Sequence, residues 1–450
     1  MTLANAVLHG LEQAAGPEAV AVAEGDRAVY AADESSAAPS LPDVVVRPAD
    51  VAAVSRVLEV ANSYRVPVVP VGGRTGLSGG SVPLHGGIAL SLERLDRIHP
   101  VDRDDFTVSV GAGARTADVQ AAALAAGLFY PPDPASLSRS TIGGNIASNA
   151  GGPRCFKYGV TAEYVLSLEA VSADGRAFRT GRPTRKNTAG LRLAALLVGS
   201  EGTLAVVTEA TLRLVAAPGA RVAATAIFDS VEAAGQAVVA IVRAGIVPSA
   251  LELLDRHCVA LIGLDGDALL LIEVDGADER AVAADLERLV PLLGNDPDVA
   301  RDEADVERLW ALRRGLSPAL AASTPDFFFE DVCVPVSRIP EALREIEEIA
   351  RRHRLRIPVF CHAADGNLHP SVLFDRRAGD EAERARAAEA EVLRLALALG
   401  GTISAEHGIG LLKLPWLADE LDPAALDQMR AIKRALDPNG ILNPGKLLPD

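Results

Sequence analysis

Apolar residues in the first half of the chain recur with spacings that alternate between helix and strand. Between residues 51 and 64, the apolar positions 51, 54, 57, 58, 60 and 61 share one face of a helix. Shorter apolar runs predict strands, and an alanine-rich run predicts another helix. The predicted strands are 67–71, 88–92, 107–110, 164–172 and 204–214, and the second predicted helix is 117–126. Residues 42–217 therefore predict a first domain of mixed helix and strand.

The second half shows the same mixture after a short linker at residues 216–219. The predicted strands are 222–228, 269–274, 331–336 and 358–362. The predicted helices are 230–244, 281–293, 340–353 and 376–399. This pattern predicts a second α+β domain, residues 218–400, with its helices over one face of a sheet.

Length, charge and cysteine content narrow the class of protein. With 450 residues the chain is too long for one ordinary core and fits two or three domains. A formal net charge of −16 disfavours nucleic acid and anionic membrane surfaces as partners. The four cysteines include no C-x-x-C pair, which suits a reducing compartment. Because the sequence shows neither a signal peptide nor an apolar run that could span a bilayer, we expect a cytoplasmic protein.

A glycine-rich segment, residues 72–80, follows the predicted strand 67–71. Five of its nine residues are glycine, so its backbone N–H groups can converge on an anion at close range. The hydroxyl groups of Thr75 and Ser78 add donors, and a diphosphate is the natural ligand. The segment matches neither G-x-G-x-x-G nor G-x-x-x-x-G-K-[ST], so neither a nicotinamide site nor a P-loop is predicted. The alternative is a tight loop whose glycines serve only its turns.

Two further segments of small residues lie in the same predicted domain. Residues 131–152 combine prolines with a run of serine, threonine, asparagine and glycine that suits a planar, hydrogen-bonding ligand. Residues 199–208 form a glycine-containing turn that enters a strand. Three such loops from distant parts of one domain indicate a single extended ligand rather than three unrelated turns.

Histidines and a carboxylate in the second half suggest a metal site. His362 and His369 flank the Asp-Gly pair at 365–366, a signal for a two-residue hairpin turn. A turn centred there makes the two histidines a directly opposed cross-strand pair, with Cβ atoms roughly 5 Å apart. Glu406 and His407 lie in a second, glycine-containing segment. Two histidines and one glutamate leave coordination positions open, as in catalytic metal sites. The alternative is two core histidines and an exposed Glu-His pair.

In their order along the chain, these segments resemble those of the FAD-linked D-2-hydroxyacid dehydrogenases, a branch of the vanillyl-alcohol oxidase superfamily that includes the flavin subunit of glycolate oxidase. The resemblance covers nearly the whole chain from residue 44 onwards. It implies an α+β fold with a two-part FAD-binding domain of the vanillyl-alcohol oxidase type and an α+β cap, or substrate, domain. It assigns residues 1–41 to a helical segment packed on the FAD domain, 42–217 to the FAD domain, 218–400 to the cap, and 401–450 to a segment that returns to the FAD domain.

The resemblance also implies FAD as the cofactor and assigns its contacts. The pyrophosphate would lie against Gly72, Gly73, Arg74, Thr75, Gly76, Leu77 and Ser78. The ribityl and isoalloxazine region would lie against Pro132, Asp133, Thr141, Gly143, Gly144, Asn145 and Ser148. The adenine would lie near Val206 and Val207, and Asn443 would belong to the C-terminal return to the flavin. Since residues 72–80 contain no histidine or cysteine, we expect non-covalent FAD.

The same resemblance implies oxidation of a D-2-hydroxyacid to the 2-oxoacid, with metal assistance and hydride transfer to flavin N5. The implied metal ligands are His362, His369 and Glu406, and the implied catalytic base is His407. The implied substrate-binding residues are Arg313, Asn367 and Lys413. Zinc is the first choice of metal, and the two-histidine, one-carboxylate set would also accept manganese or iron.

Two departures from the family bear on the substrate. Residues 186–193 replace a more polar stretch of the family. Phe327, Phe328 and Phe329 stand where relatives specific for 2-hydroxyglutarate have a cation. We therefore expect a monocarboxylate such as D-lactate or glycolate rather than a dicarboxylate.

Electrons must leave the flavin for a second acceptor. The sequence has no iron–sulfur cysteine motif, so we expect a separate electron-transfer protein, a quinone or oxygen. The sequence is compatible both with a homodimer and with a complex that contains accessory subunits. Two alternative functions also stay open: a flavin oxidase of another alcohol or a sugar, and a non-catalytic flavin-binding subunit of a larger complex.

Overall fold

The computed structural model describes residues 3–294 and 297–449. The chain divides into two compact units. The first contains Met1–Gly151, Gly159–Ala217 and Glu406–Asp450, and the second contains Gly152–Tyr158 and Pro218–Ala405. Both units mix helices and strands, which confirms the predicted α+β class.

A four-stranded sheet supports the glycine-rich segment of the first unit. Its strands are Val20–Ala21 (β1), Val44–Val46 (β2), Val68–Val71 (β3) and Ile88–Ser91 (β4), in the order β1-β2-β4-β3. Strands β2, β4 and β3 run parallel, and the helix Val51–Tyr64 forms the crossover from β2 to β3. This helix coincides with the predicted one. Asp50 caps its first turn, and its apolar face is buried.

The remaining strands of the first unit form antiparallel pairs. They are Thr107–Gly111 (β5), Leu128–Phe129 (β6), Val165–Val171 (β7), Ala177–Gly181 (β8), Val206–Arg213 (β9) and Val215–Ala216 (β10). Strands β5, β9, β7 and β8 form a second sheet in that order, and β6 pairs with β10. Residues along β9 alternate between buried and half-buried, as its sequence pattern predicts.

Helices connect and cover these sheets. The α-helices of the first unit are Asn5–Ala15, Glu24–Ala28, Val51–Tyr64, Thr116–Ala125, Ile142–Ser148, Leu193–Leu197, Leu417–Glu420 and Pro423–Leu436. Its 3-10 turns are Pro17–Ala19, Thr161–Glu163 and Leu414–Trp416. The N-terminal helix Asn5–Ala15 packs against Val51–Tyr64 and buries Leu11 completely.

The second unit is built on one large antiparallel sheet. Its strands are Ala220–Phe228 (β11), Ala250–Asp255 (β12), Ala268–Gly276 (β13), Asp298–Val299 (β14), Asp326–Phe329 (β15), Val332–Cys333 (β16), Val359–His362 (β17) and Asn367–Phe374 (β18). They follow the order β14-β11-β13-β12-β17-β18-β15, and β16 pairs with β18. Its α-helices are Cys155–Tyr158, Val231–Arg243, Arg256–Leu261, Glu279–Leu289, Glu303–Ala322, Ile339–His353 and Glu381–Ala398, with 3-10 turns at Val290–Leu292 and Val336–Arg338. Within residues 3–294 and 297–449, no helix combines the length and the apolar character needed to cross a membrane.

Apolar side chains are buried on both faces of this sheet, and the predicted layer of helices over one face accounts for the burial of only one of the two faces. Leu254 and Leu271 pack in one core with Leu309 from a helix. Leu253 and Leu270, which alternate with them along β12 and β13, are also fully buried. Strands buried on both faces have continuous apolar runs rather than a period of two. A search of the sequence for alternating apolar residues therefore does not predict β12.

The predicted strand 331–336 is wrong over most of its length. Only Val332–Cys333 (β16) pairs there, with β18. Pro335 lacks a backbone N–H and is followed by the 3-10 turn Val336–Arg338. The predicted helix 376–399 begins later than expected, as Glu381–Ala398.

Candidate active site

Gly72 and Gly73 bring the glycine-rich segment directly against the second loop of the first unit. A Cβ atom on Gly72 would lie 2.5 Å from Thr141 Oγ1. A Cβ atom on Gly73 would overlap the carbonyl oxygen of Arg139. An approach this close excludes any side chain at the two positions. Two of the three loops that suggest one ligand are therefore neighbours.

Residues 73–80 present a row of backbone donors. Among the described residues, the N–H groups of this segment have no protein acceptor. Arg74 has a φ of 57° and Gly79 a φ of 81°, so left-handed residues interrupt the segment and it joins no helix or strand. Consecutive N–H groups in such a conformation form an anion site. The donor set fits the diphosphate of FAD.

The N-terminal segment packs beside this row of donors. The backbone N–H of Glu34 donates to the carbonyl oxygen of Gly76 at 3.0 Å. The guanidinium carbon of Arg74 lies 4.8 Å from the centre of the Tyr30 ring, a cation–π contact. These contacts hold the outer part of the segment in place.

The second loop continues into the short helix Ile142–Ser148. Thr141 caps this helix, since its Oγ1 accepts a 3.3 Å hydrogen bond from the N–H three residues on. Asn145 is buried, and its Nδ2 donates to Thr116 Oγ1 at 2.8 Å. Ser148 Oγ donates to the carbonyl oxygen four residues earlier at 3.2 Å. The side chains implied to touch the flavin therefore also maintain the shape of the loop.

Other residues implied to contact FAD lie elsewhere in the first unit. A Cβ on Gly143 would lie 2.9 Å from the carbonyl oxygen of Ala112, so this glycine is required by close backbone packing. The carbonyl oxygen of Pro132 accepts a 2.9 Å hydrogen bond from Gln120 Nε2. Val207 is half-buried on β9.

Glu201, a buried carboxylate that no sequence pattern singles out, connects the third loop to the segment after His407. It accepts hydrogen bonds from the N–H groups of Ile409 at 2.7 Å and Gly410 at 2.9 Å. Burial raises the pKa of Glu201 to about 7, although these two N–H groups act in the opposite direction. The one available sequence signal is an acidic residue inside a loop of small residues, Gly-Ser-Glu-Gly.

Ser78 holds the same segment from the glycine-rich loop. Its Oγ donates to the carbonyl oxygen of His407 at 2.9 Å, and its own carbonyl oxygen accepts from two N–H groups further along. A Cβ on Gly410 would overlap the carbonyl oxygen of Ser78, and one on Gly408 would lie 2.7 Å from Glu201 Oε1. Close packing against the backbone of Ser78 and the side chain of Glu201 therefore requires Gly410 and Gly408, respectively.

The implied base lies at the start of this segment. Glu406 Oε1 and His407 Nε2 are 3.9 Å apart, and both side chains are largely buried. Lys413 is buried, and its backbone N–H donates to the carbonyl oxygen of Ile409 at 3.1 Å.

Asn443 joins the first loop to the third. Its Nδ2 donates to the carbonyl oxygens of Gly80 at 3.0 Å and Glu201 at 2.7 Å. Its Oδ1 accepts from Lys446 Nζ at 2.9 Å, and burial lowers the pKa of Lys446 to about 8. Because both polar atoms of the amide are engaged by protein groups, the side chain of Asn443 positions the two loops.

The histidine hairpin of the second unit differs in register from the predicted one. Strands β17 and β18 pair His362 with Asn367 and Phe360 with His369, so the direct pairing of the two histidines is wrong by two positions. The observed loop, residues 363–366, has four residues instead of two, and its last residue, Gly366, has a φ of 80° and packs where a Cβ would overlap the carbonyl oxygen of Val334. A shift of two positions keeps every side chain on its face. The two imidazoles therefore still meet, with ring centres 5.1 Å apart.

Glu252, which sequence reasoning also missed, supports His362 from the neighbouring strand. Glu252 lies opposite His362 in the sheet, and its Oε1 is 2.5 Å from His362 Nδ1. Its Oε2 accepts from Arg313 Nε at 2.7 Å. Burial raises the pKa of Glu252, but attraction to His362 and Arg313 outweighs this effect, so the pKa lies below its usual value.

The two adjacent arginines have different surroundings. The side chain of Arg313 is only 14% exposed, and its guanidinium carbon lies 4.2 Å from the centre of the Phe360 ring. The side chain of Arg314 is 57% exposed and pairs with Glu307 at 2.9 Å. Of the pair, Arg313 is therefore the one held beside His362.

Asp331 organises the other side of the hairpin, and its role is also absent from the sequence pattern. It accepts hydrogen bonds from Asn367 Nδ2 at 2.6 Å, Ser404 Oγ at 3.2 Å and the Ala405 N–H at 3.0 Å. His369 Nδ1 lies 4.0 Å from Asp331 Oδ1. Ala405 directly precedes the implied metal ligand and base in the sequence.

The strand β15 contains Phe327, Phe328 and Phe329, and it pairs with β18. The ring of Phe329 stacks on His369, with ring centres 5.5 Å apart and planes at 9°. Phe328 packs on Phe374 with ring centres 4.7 Å apart. This strand therefore places one aromatic ring, that of Phe329, against His369 of the hairpin.

The donor set of the second unit fits two ligands of a divalent metal ion. His362 and His369 share one face of the hairpin, and Glu252 engages Nδ1 of His362, so Nε2 is the nitrogen suited to a metal. Asp331 adds a carboxylate beside His369. Imidazole and carboxylate groups are ligands for zinc, manganese and iron. The implied third ligand, Glu406, belongs to the first unit.

These features define a flavin-dependent oxidoreductase with the vanillyl-alcohol oxidase fold. Residues 42–181 match the family described as FAD binding domain, and residues 217–447 match the family described as FAD linked oxidases, C-terminal domain. The chain belongs to the family of FAD-linked oxidases.

Relatives of this chain include hydroxyacid-oxidising enzymes. Glycolate oxidase subunit GlcD of Bacillus subtilis is 41% identical over 453 residues, covering 98% of this chain and 96% of the relative. A D-lactate dehydrogenase of Archaeoglobus fulgidus is 39% identical, covering 90% and 91% respectively. A probable mitochondrial D-lactate dehydrogenase of Danio rerio is 35% identical, covering 98% and 91%. The resemblance to this branch of the superfamily is confirmed.

Solved structures share the fold at low sequence identity. p-Cresol methylhydroxylase with substrate bound matches with a TM-score of 0.84 and 16% identity, covering 98% of this chain and 96% of that one. A 4-ethylphenol oxidase from Gulosibacter chungangensis matches with a TM-score of 0.79 and 18% identity, covering 99% and 97%. These matches confirm the predicted vanillyl-alcohol oxidase type of fold.

Proposed function

We propose that this protein oxidises a D-2-hydroxyacid to the 2-oxoacid, with a monocarboxylate such as D-lactate or glycolate as substrate. The observation that carries the proposal is the connection of Arg313 to His362 through the buried carboxylate of Glu252. It holds a cation suited to a carboxylate beside an imidazole suited to a metal. The names of the relatives, glycolate oxidase subunit and D-lactate dehydrogenase, support the same substrate class.

The FAD is bound without a covalent link. When bound, it supplies N5 as the acceptor of the hydride from C2 of the hydroxyacid. The N–H groups of residues 73–80 bind its diphosphate, and the loop around Thr141 shapes the region of the ring system. The absence of histidine and cysteine from residues 72–80 supports non-covalent binding.

Arg313 binds the carboxylate of the substrate. Because Glu252 engages Nε, the two terminal nitrogens of Arg313 are the atoms that form a fork with a carboxylate. Asn367 and Lys413 assist in binding the same substrate. The aromatic residues 327–329 favour a substrate with a short or apolar tail rather than one with a second carboxylate.

His362, His369 and Glu406 bind a divalent metal ion, with zinc as the first choice and manganese or iron as the others. When bound, the ion stabilises negative charge on the substrate hydroxyl oxygen. The contact between the two imidazoles supports this assignment. The hydrogen bond from Ala405 to Asp331 also supports it, because that bond holds the residue just before Glu406.

His407 accepts the proton of the substrate hydroxyl as general base. Imidazole is the side chain best suited to proton transfer near neutral pH. The hydrogen bond from Ser78 to its carbonyl oxygen supports a fixed position for its backbone.

The electrons leave the flavin for a separate protein, a quinone or oxygen. Accessory subunits or a homodimer would provide a route, and one relative carries the word subunit in its name. The cysteine usage of the sequence supports a cytoplasmic location.

An anaerobic spectral titration of the purified flavoprotein tests this function. D-lactate or glycolate should bleach the flavin absorbance, and L-lactate and D-2-hydroxyglutarate should do so far more weakly. His407→Gln should retain FAD and slow flavin reduction by about 10²- to 10⁴-fold. Wild-type reduction rates in that variant would remove His407 from the base role.

The same titration separates the two alternatives. Bleaching by other alcohols or by sugars, without any by hydroxyacids, would favour a flavin oxidase of a different substrate. A flavin that no substrate bleaches would favour a non-catalytic subunit. Metal analysis of the purified protein provides a further check, because neither alternative needs His362 and His369 as ligands.

A further inference from the structure

Two buried glutamates face the same side of the large sheet but serve different partners. Glu273, on β13, accepts hydrogen bonds from Trp310 Nε1 at 2.9 Å and Arg221 Nη1 at 3.1 Å. Glu252, on the neighbouring strand β12, is completely buried and faces His362 and Arg313 instead. Of these two buried carboxylates, Glu252 is the one whose partners are both proposed site residues.

The contact with Glu252 selects one form of His362. An ionised carboxylate only accepts hydrogen bonds, so the hydrogen between the two groups belongs to His362 Nδ1. A neutral imidazole protonated at Nδ1 carries its lone pair on Nε2, the atom that can bind a metal. The direct pairing of Glu252 with His362 on adjacent strands also restricts rotation of the ring. Carboxylate–imidazole pairs of this kind raise the affinity of a histidine for its metal.

The contact with Glu252 also fixes Arg313. It holds Nε at 2.7 Å, while the Phe360 ring covers the guanidinium face at 4.2 Å. The long side chain of arginine is thereby restricted before any substrate binds. A guanidinium held at Nε presents its two terminal nitrogens together, which is the geometry a carboxylate requires.

We propose that Glu252 is a positioning residue that prepares His362 for the metal and Arg313 for the substrate carboxylate at the same time. This inference rests on the proposed function. One carboxylate, with one oxygen on each partner, thus sets the spacing between the metal ligand and the anion-binding group. The loss of Glu252 should therefore weaken both metal binding and hydroxyacid binding.

The test compares Glu252→Gln with the matched control Glu273→Gln in the full-length flavoprotein. Glutamine keeps the size of the side chain but is neutral, and its amide nitrogen only donates. It can contact both partners only if His362 takes the tautomer that is protonated on Nε2, the atom needed for the metal. Dissociation constants for Zn²⁺ and Mn²⁺ are measured by competition with a chromogenic chelator, without hydroxyacid. Glu252→Gln should raise them by about 10- to 100-fold, and Glu273→Gln should leave them within about twofold of wild type.

Rapid-mixing reduction of the flavin by D-lactate provides the second readout. Its concentration dependence separates the dissociation constant of the substrate from the limiting rate. Glu252→Gln should raise the dissociation constant by about tenfold or more, because Arg313 loses its fixed geometry. Wild-type values for both metal and D-lactate would overturn the inference. Equal losses in Glu273→Gln would also overturn it, because any buried carboxylate would then have the same effect.

Glu252→Asp keeps the inference testable if Glu252→Gln does not fold. Aspartate retains the charge but is one methylene shorter, so it should raise the dissociation constants of the metal ion and of D-lactate by a smaller factor than glutamine does. Wild-type values of both constants would count against the inference. A wild type that binds no divalent ion would remove the metal from the proposed function and this inference with it. A wild type that binds the ion and is reduced by D-lactate, together with unaffected variants, would overturn the inference alone.

Discussion

The carboxylate of Glu201 accepts a 2.7 Å hydrogen bond from the backbone N–H of Ile409. A loop that precedes β9 thereby holds the segment that begins with the proposed base, more than two hundred residues later in the sequence. A second bond, from the Gly410 N–H at 2.9 Å, makes the attachment two-point. Lys446 and Asp33 are the charged groups near Glu201, and they act on its pKa in opposite directions. With a pKa of about 7, Glu201 changes charge in the neutral range.

Glu201→Gln should change how stability depends on pH. The pKa of Glu201 is about 7 in the folded protein, against roughly 4.3 for an unfolded glutamate. Between these values the folded state binds more protons than the unfolded state, so this group lowers stability as pH rises. The contribution is at most about 1.4 kcal/mol per pH unit, and it levels off once Glu201 is ionised in both states. The melting temperature of wild type minus that of Glu201→Gln should therefore fall between about pH 5 and pH 8.

Glu59→Gln is the control for that comparison, because Glu59 is exposed on the helix Val51–Tyr64. The difference in melting temperature between wild type and Glu59→Gln should vary little between about pH 5 and pH 8. A difference between wild type and Glu201→Gln that does not change with pH would mean that Glu201 does not titrate there in the folded protein.

Gly73→Ala should release FAD without unfolding the first unit. A Cβ at this position overlaps the carbonyl oxygen of Arg139, so the glycine-rich segment must move away from the second loop. The N–H groups of residues 73–80 would then lose their common direction, and we expect the dissociation constant of FAD to rise by about tenfold or more. Flavin fluorescence on dilution measures this constant.

Gly25→Ala serves as the control for Gly73→Ala. Gly25 lies in the helix Glu24–Ala28, and a Cβ there would meet nothing within 4 Å. This variant should bind FAD as wild type does. Equal FAD affinity in Gly73→Ala would show that the segment tolerates displacement and would weaken its role as the diphosphate site.

The local parts of the fold and site follow from the sequence. The helix Val51–Tyr64 has a clear apolar period, a capping aspartate and a buried face, so its bounds could be predicted. The three loops of small residues could also be recognised in the sequence, because glycine content is a property of each segment alone, and their assignment to one ligand stays a prediction. The contact between Gly72 and Thr141 agrees with that interpretation for two of the loops.

The long-range part of the site could not be predicted from spacing. Glu252 and His362 are 110 residues apart, and Glu201 and Ile409 are 208 residues apart. Both glutamates lie among apolar or small residues, where no periodic pattern distinguishes a buried carboxylate from an exposed one. The predicted register of the histidine hairpin was wrong for a related reason. The Asp-Gly pair indicates a two-residue turn, but the loop has four residues, and Gly366 packs against Val334, a contact that local sequence does not reveal.

Arg313→Lys should weaken substrate binding much more than Arg314→Lys. Lysine keeps the charge of Arg313 but loses both the hydrogen bond from Nε to Glu252 and the planar fork for a carboxylate. We expect KM for D-lactate to rise by about tenfold or more. Arg314 is exposed and pairs with Glu307, and exposed pairs contribute little, so Arg314→Lys should leave KM within about twofold. Steady-state kinetics with D-lactate compare the two variants, and equal effects would contradict the assignment of Arg313.

Ser78→Ala should slow the transfer of hydride to the flavin while D-lactate still binds. The substitution removes the 2.9 Å hydrogen bond from Ser78 Oγ to the carbonyl oxygen of His407, so the backbone of the proposed base loses one of its attachments. A bond of this kind contributes about 1 kcal/mol, and we expect the limiting rate of flavin reduction to fall by roughly 5- to 10-fold. Ser78→Thr retains a hydroxyl and should restore most of the rate. Ser81→Ala, which removes only a 3.5 Å contact with Asp33, should have little effect. Equal rates for wild type and Ser78→Ala in rapid-mixing experiments would show that Glu201 and the backbone carbonyl of Ser78 are sufficient to hold the segment.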